Sequence, residues 1–234
     1  MIGILNAYHF DTTPGNYQEQ YLPMMQDYLL EVMPGVKLKD YCVAQNEFPD
    51  DPDECDGYVI TGSPASCYDH EAWIKKLIEL IKQLNETHKP LLGICFGHQI
   101  IAHALGGEVV NSDKGWGIGV REFSMTSYTP WMEPRLENDS CSLLFSHQDQ
   151  VVKLPTSATC VAGDSFCSNQ MYFIGDHVFS IQGHPEFTPN YAKSRYLARI
   201  DRIGEKHVEE AVESLKNTTN SDVVGAWIKN FFKR

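Results

Sequence analysis

The sequence predicts an α/β protein built on a mostly parallel sheet, with helices covering both faces and a small antiparallel extension. Three observations carry this. Up to about residue 105, short apolar runs alternate with longer segments of helical periodicity, the pattern of parallel βαβ units. Between 108 and 182 the runs shorten and follow one another without helices, so part of that region is expected to pair antiparallel at the sheet edge. From about 189 onward the pattern is helical again.

Element by element, Ile2-Gly-Ile-Leu-Asn6 reads as a buried first strand. Residues 16–31 carry Tyr21, Met24, Met25, Tyr28 and Leu29 at helical spacing, with Pro23 leaving the start of that helix open. A second strand is expected over Val36 to Val43, and a third over Gly57-Tyr-Val-Ile-Thr61, which runs into the turn Gly62-Ser63-Pro64. Trp73, Ile74, Leu77, Ile78, Ile81 and Leu84 mark one face of a helix over 71–87. Pro90-Leu-Leu-Gly-Ile-Cys95 is a strand followed at once by a helix, which Gly106-Gly107 closes. Short strands are expected at 118–123, 142–145, 158–163, 171–174 and 177–182. Residues 124–140, with two prolines, Trp131 and Met132, read as a long loop that serves as a substrate lid or a docking surface. The C-terminal helical segment breaks near Asn217–Asn220. Its stripe of Val223, Val224, Trp227, Ile228, Phe231 and Phe232 is expected to dock on the core.

Composition narrows the functional classes. At 234 residues with 42% hydrophobic and 21% charged residues, the chain is ordinary globular material, expected to form one domain over 1–234 with its core at about 1–190 and a helical segment at about 190–234. Nineteen Lys+Arg against 31 Asp+Glu give a formal charge of −12, which disfavours nucleic acid or an anionic membrane surface as the main partner. No run approaches the roughly 18 apolar residues of a membrane span, and Met1-Ile-Gly-Ile-Leu5 lacks the basic flank of a signal peptide. Seven scattered cysteines without a C-x-x-C pair argue for reduced thiols, so the expected location is cytoplasmic. His98 and His103 read as packing or capping residues, because no HExxH or Cys/His cluster accompanies them. Neither a P-loop nor a dinucleotide fingerprint is present, so neither metal nor cofactor is expected.

The chemistry concentrates in two motifs. Gly93-Ile-Cys95-Phe-Gly97 sits where a strand meets a helix, with glycine two positions to either side of a cysteine. A tight strand-to-helix turn lifts such a side chain above the sheet, the glycines remove Cβ atoms that would collide, and the new helix aims its free N–H groups at the sulfur. By itself the pentapeptide fits a buried small hydrophobe as well as a nucleophile. His184-Pro185-Glu186 follows the apolar run Val178-Phe-Ser-Ile181, at the end of an α/β sheet where site residues gather. Residues at i and i+2 of an extended segment share a face, so Glu186 can lie beside the His184 ring. A base oriented by an acid near a thiol is the signature of an activated nucleophile.

With these motifs in hand, the sequence resembles the class I glutamine amidotransferases, of the flavodoxin-like triad type. Gly93-Ile-Cys-Phe-Gly-His-Gln99 is similar to their nucleophile motif, Gly183-His-Pro-Glu186 to their base motif, and Thr61-Gly-Ser-Pro64 to their oxyanion loop. Ser146-His-Gln-Asp149 resembles the segment that contacts the glutamine backbone in the amidotransferase half of GMP synthase. The segments Glu47-Phe-Pro-Asp50 and Ile181-Gln-Gly-His-Pro-Glu186 read like the free-standing branch that includes the γ-glutamyl peptidases. The resemblance implies a Cys95, His184 and Glu186 triad, an oxyanion hole from Gly62, Ser63 and Phe96, and substrate contacts by Gln99, Ser146, His147 and Gln148. It implies cleavage of the γ-glutamyl amide of glutamine or of a γ-glutamyl peptide. The alternatives are a glutaminase subunit that delivers ammonia to a separate synthase, or a non-catalytic regulatory protein that retains the fold. Many relatives carry glycine where this chain has Ser63, so the oxyanion turn is expected to be more restricted here.

Overall fold

The computed structural model describes residues 1–8 and 19–233. The elements follow in chain order as β1 (Ile2–Leu5), α1 (Tyr21–Val32), β2 (Leu38–Tyr41), β3 (Gly57–Ile60), α2 (Ala72–Glu86), β4 (Leu91–Ile94) and α3 (Phe96–Ala104). After these come β5 (Glu108–Asn111), β6 (Gly117–Met125), β7 (Ser140–His147), β8 (Asp149–Lys153), β9 (Ala158–Gly163), β10 (Met171–Ile174) and β11 (Val178–Ile181). Four helices end the chain: α4 (Pro189–Leu197), α5 (Ile200–Ile203), α6 (Glu205–Ser214) and α7 (Ser221–Phe232).

Nine strands form one sheet among the described residues, in the order β2-β1-β3-β4-β11-β10-β9-β6-β7. The first five pair in parallel, and from β11 outward the ladders are antiparallel. The expected architecture of a parallel core with an antiparallel flank is therefore present. Strand alternation divides the apolar residues between the two faces. Ile4, Val59, Leu92, Ile94, Phe179 and Ile181 join the core under α1 and α7, with Tyr21, Met25, Leu29, Trp227 and Phe231. Leu5, Tyr58, Ile60, Leu91 and Val178 join the core under α2 and α3, with Trp73, Leu77, Ile81, Phe96 and Ile100.

The helix expected over 16–31 begins at Tyr21 in the described residues, and its first three expected positions lie outside them. Pro23 falls in its first turn, where a missing N–H leaves no helical bond unmade. β5 and β8 were not legible in sequence. They form a separate two-stranded antiparallel sheet whose segments, Glu-Val-Val-Asn and Asp-Gln-Val-Val-Lys, are too short and polar to show a period. The C-terminal segment breaks at 215–220 as expected, and again at Gly204, whose φ of +100° no helix accommodates.

Residues 124–140 are a strap at the end of the sheet away from Cys95. In the β6–β7 ladder Gly117 faces His147 at the Cys95 end, and Ser124 faces Ser140 at the other. Trp131 packs edge-on against Phe179 and Phe231, at ring-centroid distances of 4.7 and 5.4 Å. Asn230 donates to the Trp131 and Glu133 carbonyls, and the Trp227 indole donates to the Pro134 carbonyl. The substrate-lid reading of this loop is thereby corrected: it is bound to α7, at the end of the sheet away from Cys95.

Candidate functional site

At the β4–α3 junction Cys95 adopts φ +53° and ψ −101°, a conformation that costs a non-glycine residue about 1–3 kcal/mol. The surrounding backbone holds it there, since Cys95 N–H donates to the Ile181 carbonyl at 2.9 Å and its own carbonyl accepts from Gln99 N–H at 3.0 Å. Both flanking glycines are sterically required. A Cβ on Gly93 would lie 2.6 Å from the Gly97 carbonyl oxygen, and one on Gly97 would lie 2.3 Å from the Ile60 carbonyl oxygen. The Phe96 N–H, first of the helix, has no acceptor among the described residues and sits beside the thiol-bearing residue.

The base motif assembles from the end of β11. His184 N–H donates to the Leu144 carbonyl at 2.8 Å, which ties the segment to β7. His184 Nδ1 and Glu186 Oε1 are 2.7 Å apart, in side chains only 2% and 0% exposed. Phe187 stacks on the imidazole at 3.7 Å between centroids and 14° between planes. Burial alone would push the imidazole toward neutrality, but the charges of Glu186 and Cys95 outweigh it and raise its pKa to about 9. Glu186 has a further partner that sequence reading missed. The Tyr21 hydroxyl donates to Glu186 Oε1 at 3.2 Å and accepts the Gly62 N–H at 2.8 Å. Burial first and the Glu186 charge second hold that phenol's pKa well above its usual value, so it keeps the proton it donates.

This hydrogen bond corrects the expected oxyanion hole. The Gly62 N–H is committed to Tyr21 and points away from the role assigned to it. The amides without an acceptor among the described residues are those of Ser63 and Phe96. Ser63 does not strain the turn, because its φ is not left-handed and its Oγ accepts the Ala65 N–H at 3.2 Å. Ser66 Oγ donates to Asp149 Oδ2 at 2.6 Å, anchoring the far end of the same loop.

Cys95 opens into a cavity of about 100 Å³ lined by Ser63, Gln99, Ser146, His147 and Gln148, so the expected substrate-contact residues converge on it. His147 is buried and neutral, its pKa pushed down to about 4 by burial. Its Nδ1 must carry a proton, because it faces the Asp149 carbonyl at 2.9 Å. Gln148 Nε2 donates to Asn111 Oδ1 at 3.0 Å, and Asn111 in turn donates to Asp149 Oδ1 at 2.9 Å. His98 lies in the core, with Nδ1 2.8 Å from Ser180 Oγ, which bears out a packing role.

The sequence reading also passed over the wall of arginines. Arg195, Arg199 and Arg202 line the cavity opposite the oxyanion loop, and Arg195 Nε donates to Ser146 Oγ at 2.9 Å. Their spacing of four and three residues was a legible signal in an acidic chain, since on a continuous helix it would set three cations on one face; in the structure Arg195 lies on α4, Arg202 on α5 and Arg199 at the break between them. Nothing in the sequence indicated which way that face turned.

The family model described as glutamine amidotransferase class-I matches residues 16–201. The chain belongs to that family. It is 36% identical over 205 residues to gamma-glutamyl peptidase 3 of Arabidopsis thaliana, covering 82% of this chain and 80% of that one. A glutamine-hydrolysing GMP synthase of Porphyromonas gingivalis is 29% identical over 205 residues, covering 80% of this chain but only 38% of that protein. The fold is shared with a glutamine amidotransferase from Thermotoga maritima at a TM-score of 0.80 and 21% identity, over 100% of this chain and 99% of the other. This class I amidotransferase is thus a glutamine amidotransferase-like hydrolase. Among the described residues no group of three His, Cys, Asp or Glu side chains could hold a metal ion, and no helix is long and apolar enough to cross a membrane.

Proposed function

We propose that this amidotransferase-like protein is a single-domain cytoplasmic hydrolase that cleaves the γ-glutamyl amide of glutamine or of a γ-glutamyl peptide through a thioester on Cys95. The observation that carries the reading is a cysteine on a strained elbow, open to the cavity, whose charge acts on a buried histidine that a carboxylate holds at 2.7 Å. In this reading His184 holds the proton from Cys95, and the thiolate attacks the γ-carbonyl carbon. The amides of Ser63 and Phe96 receive the developing oxyanion. His184 passes its proton to the departing ammonia or amine. A water molecule then gives a proton to His184 and attacks the thioester, releasing glutamate and the Cys95 sulfur. Glu186 keeps the imidazole oriented and balances its charge. The α-carboxylate of the glutamyl group fits the Arg195–Ser146 wall, where a buried guanidinium meets a hydroxyl in the cavity.

The resemblance to part of a GMP synthase favours a second reading in which ammonia passes to a separate synthase subunit. One substrate panel distinguishes the two. The purified protein is incubated with glutamine, glutathione and γ-glutamyl dipeptides, alone and with candidate synthases, and released ammonia or amine is measured. Rapid cleavage of peptides by the protein alone supports the stand-alone hydrolase, and glutamine cleavage only with a partner supports the subunit. Absence of cleavage in every arm, or full activity in Cys95→Ala, refutes the thiol mechanism.

A further inference from the structure

A glutamine side chain at a binding cavity can show either end of its amide. The oxygen receives a cation such as an ammonium group, whereas the nitrogen receives an anion. Gln99 Nε2 lies 2.9 Å from the Asp149 carbonyl oxygen and 3.1 Å from Gln182 Oε1. A backbone carbonyl only accepts, so the nitrogen of Gln99 must face Asp149. Its second N–H then requires an acceptor, which fixes the Gln182 amide with its oxygen toward Gln99. Both N–H groups of Gln99 are used, and its Oε1 is the end left for the cavity that Gln99 lines. Gln182 itself is fully buried two residues before His184. Its N–H is held by the Gln170 carbonyl at 2.8 Å, and its own Nε2 has no hydrogen-bond partner. A buried amide with an unmet donor is unfavourable, so an apolar residue would suit the core better unless the oxygen of Gln182 has a task.

We infer that Gln182 is a specificity-determining positioning residue, which by accepting the second N–H of Gln99 holds the Gln99 oxygen toward the cavity to receive the α-ammonium of a γ-glutamyl substrate. Asp149 alone fixes one N–H and leaves the amide plane free to swing, whereas two acceptors fix the plane. The inference rests on the γ-glutamyl hydrolase reading, in which Gln99 is already a substrate contact, and adds to it the buried residue that sets the direction of the Gln99 amide.

The test compares substrates with and without that group: glutamine against glutaramate, and γ-glutamylglycine against glutarylglycine. The wild-type protein is expected to prefer the α-amino member of each pair. Gln182→Leu is expected to lower that preference in kcat/KM by about tenfold, mainly through a higher KM for the α-amino substrate, with the des-amino substrate unchanged. Gln182→Glu is expected to keep the preference, because a buried carboxyl is protonated and still offers an oxygen. If Gln182→Leu does not fold by circular dichroism, Gln182→Met replaces it, with the same expectation. An unchanged preference in a folded Leu or Met variant, or an equal loss for both members of each pair, overturns the inference while leaving the hydrolase reading intact. Failure of the wild type to cleave any γ-glutamyl compound overturns both.

Discussion

Replacing Tyr21 by Phe removes one oxygen atom and the two hydrogen bonds that meet on it. In the folded protein that oxygen accepts the Gly62 N–H at 2.8 Å and donates its proton to the Glu186 carboxylate at 3.2 Å, inside a residue only 1% exposed. The aromatic packing against Tyr8, Tyr191 and Phe187 is retained by a phenylalanine ring, so the change isolates the hydroxyl. An unmet buried N–H costs about 1–3 kcal/mol, and a hydrogen bond to a charged group contributes about 1.5–3 kcal/mol. Because one hydroxyl serves both, we expect a loss of about 2–3 kcal/mol, divided between global stability and the transition state. A kcat lower by about ten- to a hundredfold corresponds to roughly 1.4–2.7 kcal/mol of that total. KM should change little, because Tyr21 does not line the cavity. Stopped-flow or endpoint hydrolysis of the preferred γ-glutamyl compound, paired with urea unfolding, reads both parts. A Phe variant with wild-type kcat, whatever its stability, would show that the link between oxyanion turn and triad acid has no bearing on turnover.

Three further outcomes follow from the same geometry. Gly97→Ala places a Cβ 2.3 Å from the Ile60 carbonyl, a backbone atom that cannot rotate away, so it should destabilise the fold by about 3 kcal/mol and abolish activity; a stable, active variant would contradict the packing of α3 on β3. Trp131→Ala should cost about 3–5 kcal/mol in denaturant unfolding yet leave KM unchanged, since the strap lies at the far end of the sheet from Cys95; a raised KM with unchanged stability would restore the lid reading. Acid should destabilise the protein below about pH 6.5. Burial holds His98 and His147 down to about 3 and 4, so the unfolded chain binds protons that the folded one refuses. Stability should then fall by about 1.4 kcal/mol per histidine per pH unit toward pH 4. His184 does not add to that slope, because its raised pKa stabilises the fold below about 6.5 and loses that contribution only as the pH rises through about 9. Unfolding curves at pH 7, 6 and 5 check the slope, and a flat profile would refute it.

The sequence by itself determined the alternating order of strands and helices, the elbow and the base motif. Those features are local: apolar period, glycine spacing and residues two apart on an extended segment are properties of neighbouring positions. The family resemblance of its contiguous motifs also pointed to Gln99, Ser146, His147 and Gln148 as substrate contacts, and the structure sets these on one cavity. The tertiary structure decided everything that depends on which distant segment meets which. Tyr21 reaches Glu186 across 165 positions, and Gln182 reaches Gln99 across 83. Arg195, Arg199 and Arg202 line the cavity with Cys95 because of how α4, α5 and the break between them pack, which their spacing could not reveal. The loss of the Gly62 N–H from the expected oxyanion set of Gly62, Ser63 and Phe96 has the same origin. An N–H group looks available in a sequence until a side chain from another element folds against it, and here that side chain is a buried phenol held on one side by Glu186.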